Sequence, residues 1–263
     1  MNSLLPLFLL IAVTTILQSA SSPNIAFIIA DDLGVEDTGF MGNPDIRTPA
    51  LNELAERSTV FERLYVASPS CAPSRGAMLS GLMPFRNGAE PNHTHVRDDV
   101  RQLPQYMRDL GYEVAAIGKI AHGTDDRAGF DYVDRDISLE NIGIVSDYLS
   151  QRESDEPLLL MVGIKDPHVP WPNKPFPHYK PDSLILPAKL INTSDTRLEL
   201  ARYYTDVERM DQQVAATLEA IETYLGAETI IFFTSDHGAQ LPYGKWNNYE
   251  SGVRVPMLVC WPG

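Results

Sequence analysis

The sequence has 263 residues, 44% of them hydrophobic and 21% charged, with a formal net charge of −14. That length and apolar content fit one large domain with a sizeable core and exclude a disordered chain. The acidity excludes the basic face of a nucleic-acid binder, and two cysteines, Cys71 and Cys260, are too few for a disulfide framework.

Leu4 to Leu17 is an apolar run interrupted by Thr14 and Thr15, followed by the small polar stretch Gln18 to Ser22. This reads as the h-region and cleavage region of a signal peptide over residues 1–22. It is short for a membrane span, so no stable span is expected. The n-region has neither Lys nor Arg. Two Asn-x-Ser/Thr triplets, at Asn92 and Asn192, are compatible with a secretory route to a secreted, lysosomal or periplasmic location.

Asn24 to Ala30 is a continuous apolar run of strand length, as a parallel strand buried on both faces requires. It ends in Asp31-Asp32. Adjacent carboxylates after a buried strand are costly without a cation, so the pair reads either as a solvated turn or as a divalent metal site. Thr48-Pro49 opens a helix to about Arg57, and Val60 to Val66 is extended. Next comes Ser70-Cys71-Ala72-Pro73-Ser74-Arg75. Pro73 suits a first helical position, which puts Cys71 beside amide N–H groups that favour an anion, with Arg75 one turn on. Cys71 is then either a small buried thiol or a nucleophile in an anion-binding pocket. Asn87 to Asp99 reads as a loop with His93 and His95 solvated.

Leu103 to Leu110 is a helix ended by Gly111, and Glu113 to Ile117 is a strand leading to Lys119 and His122. Asp125 to Asp136 reads as acidic loop and Ile137 to Gln151 as a helix. Pro157 to Ile164 is another buried strand, followed by Lys165-Asp166-Pro167-His168, where proline holds His168 in place. Pro172 to Pro187 is an extended excursion. Thr196 to Leu225 has apolar residues at helical spacing, and Gly226 caps it. Thr229 to Thr234 is the last of four buried strands ending in polar groups, here Asp236-His237. Lys245 follows, then the apolar run to Val259 with Cys260 as a buried strand residue.

Strands alternating with helices predict an α/β fold: a doubly wound, mostly parallel sheet with helices on both faces. The carboxyl ends of the strands then share one edge, where ligands bind in open α/β sheets.

Cys71-Ala72-Pro73-Ser74-Arg75, with Leu79-Ser80-Gly81 after it, resembles the Cys-x-Pro-Ser-Arg signature of type I sulfatases. Gly118-Lys119-Ile120-Ala121-His122, the Asp166-Pro167-His168 element, and Lys245, Tyr249, Glu250, Gly252, Arg254, Val255 and Pro256 are similar to further family motifs, in family order. The longer Lys119-to-His122 spacing and the Asp236-His237 pair are nearest to iduronate 2-sulfatase-like and heparan N-sulfatase-like members. The resemblance covers nearly all of residues 23–263 as a catalytic domain of alkaline-phosphatase-like architecture. It also implies a small C-terminal domain, expected to lie outside this sequence, which then reads as a fragment or a shortened protein.

The resemblance implies that a formylglycine-generating enzyme converts Cys71 to formylglycine, whose hydrate attacks sulfur. It implies one divalent metal, usually calcium, at Asp31, Asp32, Asp236, His237 and residue 71; hard oxygen ligands suit calcium or magnesium, and the imidazole leaves a transition metal open. Arg75 would stabilise the nucleophile, and Lys119 and Lys245 would clamp sulfate oxygens. His168 would protonate the leaving group, and His122 would serve as the base that releases sulfate. The implied substrate is a sulfated glycosaminoglycan or similar polysaccharide, with aryl and choline sulfates as smaller candidates. The alternatives are a phosphatase or phosphodiesterase of the same superfamily, and a truncated non-catalytic binder of sulfated glycans.

Overall fold

The computed structural model describes residues 22–122 and 128–262. Residues 1–21, which carry nearly all of the expected signal peptide, and residues 123–127, which include the start of the expected acidic loop, lie outside that range. Among the described residues, no helix is long and apolar enough to cross a membrane.

Among the described residues, seven strands form one sheet in the order β2-β7-β6-β1-β5-β3-β4. They are β1 (Ile25–Ala30), β2 (Thr59–Tyr65), β3 (Glu113–Gly118), β4 (Tyr132–Asp134), β5 (Leu158–Ile164), β6 (Ile230–Ser235) and β7 (Arg254–Cys260). The helices are α1 (Pro49–Glu56), α2 (Cys71–Ser80), α3 (Pro84–Asn87), α4 (Leu103–Asp109), α5 (Ile144–Gln151), α6 (Ser194–Tyr224) and α7 (Glu250–Val253).

β1 lies at the centre, parallel to β5 on one side and to β6 on the other. β5 shows why the apolar runs carry no alternation. Leu158, Leu160 and Val162 pack on one face with α1, α5 and α6, while Leu159 and Met161 pack on the other with α2 and α4. Both faces are covered, so every position is apolar. Each such side chain contributes about 1.5–3 kcal/mol of burial. The expected doubly wound sheet with helices on both faces is the observed one.

Four details differ from the sequence reading. β7 runs antiparallel to β6 and to β2. The link from β6 to β7 holds only the four-residue α7, and a parallel return needs a crossover, usually through a long helix. β4 is an added strand inside the expected acidic loop, paired to β3 through three residues. The helix expected from Ile137 begins at Ile144; the preceding stretch turns, and only Ile137 of it reaches the core. The helix after Ser70 starts at Cys71 itself, two residues before Pro73.

β2 is a sheet edge whose residues are nearly all exposed, and its pairing with β7 is irregular between Phe61 and Leu64. α6 braces the opposite face. Its Asp211 carboxylate accepts the Ala50 and Leu51 N–H groups at 3.0 and 2.9 Å, capping α1 where Thr48 makes no side-chain cap.

Candidate active site

The carboxyl ends of β1, β3, β5 and β6 place Asp31-Asp32, Lys119, His168 and Asp236-His237 along one edge, beside the first turn of α2. Asp31, Asp32, Asp236 and His237 are 0% exposed, and Cys71 and Arg75 are 1% exposed. One ligand atom from each of Asp31, Asp32, Cys71 and His237 falls within 4.8 Å of the others. Asp236 borders this group, its Oδ1 3.8 Å from His237 Nε2. Its Oδ1 accepts the Asp32 N–H at 3.1 Å, and its Oδ2 accepts Arg75 Nε at 2.8 Å.

Arg75 ties the site together. Besides Asp236, its Nη2 lies 3.4 Å from Asp31 Oδ1, and its Nη1 donates to the Lys119 carbonyl. Burial opposes its charge, but the Asp236 and Asp31 carboxylates outweigh this and raise its pKa. Ser74 Oγ, one residue earlier, donates to the Asp236 carbonyl at 2.5 Å and docks α2 on the end of β6.

Two lysines close on the carboxylates. Lys119 Nζ is 2.5 Å from Asp31 Oδ2, and Lys245 Nζ is 2.7 and 2.9 Å from the two Asp32 oxygens. Asp32 itself holds a left-handed backbone, φ 70°, which turns its side chain out of the strand line. Gly163, near the end of β5, lets the chain leaving the neighbouring β3 pass close by: a Cβ there would stand 1.9 Å from the Lys119 carbonyl oxygen.

The charges are unevenly held. Burial, then the neighbouring Asp236 carboxylate, push Asp31 up to about 6 despite Arg75 and Lys119. Asp236 is buried too, yet His237, Arg75 and Lys119 hold it well below the usual carboxylate range. Burial works against a charge on His237. The Asp236 carboxylate, the hydrogen bond with Cys71 and the Asp32 carboxylate outweigh it and push the imidazole up to about 9.

These residues fit a divalent cation. Asp31 Oδ1 is buried and has no hydrogen-bond partner among the described residues. His237 Nδ1 lies 3.0 Å from the Gly238 carbonyl, which fixes that nitrogen as the donor and leaves Nε2 facing the group, 3.3 Å from Cys71 Sγ and 3.3 Å from Asp32 Oδ1. A cation bound there would take the place of the proton that the neighbouring carboxylates hold on Nε2. Carboxylate oxygens suit a hard cation, and the imidazole widens the choice.

His168 and His122 stand further out. His168 Nδ1 donates to the Val169 carbonyl at 2.6 Å, and Nε2 is 4.0 Å from Asp32 Oδ2. His122 Nε2 is 2.6 Å from His93 Nδ1. Burial, then Lys119, His93 and Arg75, hold the His122 imidazole down to about 4, so it is neutral at pH 7. His93 and His95 are exposed, as expected of a loop, but both engage His122: His95 Nδ1 meets its carbonyl at 2.9 Å.

The sequence reading gave Ser74, Asn92, His93 and Trp246 no role of their own at the site. Asn92 Oδ1 accepts the Ala72 N–H at 3.2 Å, a use that the glycosylation triplet does not signal. Ser74 could have been found, since it lies inside the motif.

A model of the sulfatase family matches residues 23–143 and 142–263. An ulvan-active sulfatase of Formosa agariphila is 29% identical over 251 residues, covering 92% of this chain and 49% of its own length. Human N-sulphoglucosamine sulphohydrolase is 31% identical over 278 residues, covering 91% of this chain and 55% of its own. The chain thus spans about half the length of these relatives. A solved structure from the glycosaminoglycan metabolism of Bacteroides thetaiotaomicron shares the fold, with a TM-score of 0.76 at 22% identity, over 92% of this chain and 67% of that one.

Proposed function

Because the chain belongs to the sulfatase family, we propose that it is a sulfuric ester hydrolase acting on a sulfated saccharide, with residue 71 as its nucleophile. The observation that carries this reading is the convergence of Asp31, Asp32, Cys71 and His237 within 4.8 Å, with Arg75, Lys119 and Lys245 directed onto the same carboxylates. A saccharide substrate is supported by the relatives, whose names specify ulvan and N-sulphoglucosamine.

Asp31, Asp32, Asp236, His237 and residue 71 would hold one divalent cation, calcium first among candidates. When bound, it would supply positive charge to a sulfate oxygen and to the nucleophile. Formylglycine, made from Cys71 by a formylglycine-generating enzyme, would supply a hydroxyl in its hydrated form.

The protein's own side chains do the rest. Arg75 is locked by Asp236 and the Lys119 carbonyl, so its charge is fixed beside residue 71 without reorganisation. Lys119 and Lys245 bind and orient sulfate oxygens through charge-assisted hydrogen bonds. With Nδ1 bonded to the Val169 carbonyl, His168 presents Nε2 as the atom that passes a proton to the leaving oxygen. His122, held neutral, accepts a proton as sulfate departs. The apolar run before residue 22 supports export through a secretory route.

Two measurements test this. The mass of the peptide containing residue 71, from protein made in its native host, should be about 18 Da below the cysteine form. Sulfate release from a sulfated disaccharide should be detected, and should vanish in Cys71→Ala. An unmodified thiol together with no sulfate release would reject the hydrolase.

A further inference from the structure

The loop that carries Lys245 holds three aromatic rings in water. Tyr243, Trp246 and Tyr249 are 51%, 61% and 59% exposed. Lys245, between the first two, is buried instead: it is 4% exposed and its ammonium sits on Asp32. The Trp246 ring centroid lies 5.4 Å from that Nζ, within cation–π range. The indole therefore borders the very atom assigned to a sulfate oxygen. Tyr243 and Tyr249 meet edge to face at 5.3 Å and form a second aromatic surface in the same loop.

The backbone is held unfavourably to achieve this. Tyr243 and Trp246 have φ of 65° and 67°, a left-handed conformation that bulky side chains rarely adopt. Trp246 N–H donates to the Pro69 carbonyl at 2.7 Å, tying the loop to the segment just before Cys71. Gly244 permits the tight turn: a Cβ there would lie 2.1 Å from the Ala239 carbonyl oxygen. Conformational strain with no return in burial is expected where it positions a side chain for use. Scattered exposed aromatics need no explanation, but a strained Trp beside the catalytic lysine does.

We propose that Trp246, flanked by the Tyr243–Tyr249 pair, is a stacking platform for a pyranose ring of the substrate, the sugar that carries or adjoins the sulfate bound by Lys245. This rests on the sulfatase reading above and assigns to it the residue that recognises the sugar. A pyranose offers a face of C–H groups that lies on an aromatic ring, while its hydroxyls stay in water. An indole is suited to such an amphipathic partner, being large, flat and rigid. The Lys245 ammonium near the ring helps fix its orientation.

The test is calorimetric titration of the full chain with a sulfated disaccharide and, separately, with inorganic sulfate. Trp246→Gly removes the ring and places glycine where φ is positive, so the backbone conformation is retained without strain. Trp246→Phe keeps a smaller ring. The glycine variant should bind the disaccharide about five- to tenfold more weakly, and the phenylalanine variant should fall between it and the parent. Inorganic sulfate should bind all three alike. Disaccharide binding unchanged in Trp246→Gly would overturn the platform, as would a parallel loss of sulfate and disaccharide. A folded parent that binds neither ligand would reject the sulfatase reading itself, and the platform with it.

Discussion

Replacing Arg75 by methionine tests whether its charge holds the site together. Methionine keeps much of the side-chain volume, so the change is chiefly electrostatic. It strips Asp236 and Asp31, both fully buried, of the guanidinium now 2.8 and 3.4 Å away. Removing one partner from a buried ion pair costs about 3–5 kcal/mol. In a chain of this size that lowers Tm by roughly 6–20 °C. Thermal unfolding followed by circular dichroism, at pH 7 with a chelator present, measures it. The pH dependence supplies a second check. Asp31, already up at about 6, moves higher in the variant. A carboxyl with a raised folded pKa adds stability below its unfolded value of 3.8 and loses it as pH rises through the folded value. The deficit of the variant should therefore shrink on going from pH 7 to pH 5, and Asp31→Asn in the same background should recover part of it. A loss under about 1 kcal/mol, the surface-pair range, or a deficit that ignores both pH and the second change, would refute the reasoning.

Calcium at a hundred times its Kd should raise stability by about 2.7 kcal/mol, read as a Tm shift, and the shift should disappear in Asp31→Asn. Gly163→Ala puts a methyl group 1.9 Å from the Lys119 carbonyl oxygen, which Arg75 needs as acceptor; sulfate release should drop at least tenfold and Tm should fall. Asp211→Ala uncaps α1 and should cost about 1–2 kcal/mol, with faster hydrogen exchange at Ala50 and Leu51. Burial, then Asp166, push Asp206 up to about 7, so its contribution is full below 3.8 and lost as pH rises through 7. Asp206→Asn should flatten the stability profile across that window by on the order of 2–4 kcal/mol.

Much of this architecture is legible in the chain because two-sided burial writes itself as unbroken apolar runs. Ile25–Ala30, Leu158–Ile164 and Ile230–Ser235 could be read in that way, and their polar ends marked the edge where Asp31, His168 and Asp236 meet. β4 left no such mark, since Tyr132–Asp134 is three half-buried residues on an edge. Nor could the direction of β7 be read, because an apolar run looks the same in either orientation, and what decides is the link before it, which holds no long crossover helix. At the site, residue types marked the candidate ligands and the lysines. His93 was not announced: an exposed loop histidine acquires its role only through the fold, which brings it 2.6 Å from a residue 29 positions on. Trp246 escaped notice for the same reason.

The open edge at β2 bears on how these molecules behave in a crowd. Among the described residues the outer side of β2 has no neighbouring strand, and with Val60, Phe61 and Tyr65 exposed such an edge is a template onto which another chain can add. Glu62 and Arg63 interrupt its apolar surface, and the irregular register between Phe61 and Leu64 bends the ribbon away from flatness. Charge and curvature at that short stretch act as a guard against fibrous self-assembly. Surface engineering for yield or crystallisation should therefore leave Glu62 and Arg63 in place, however dispensable they look for chemistry.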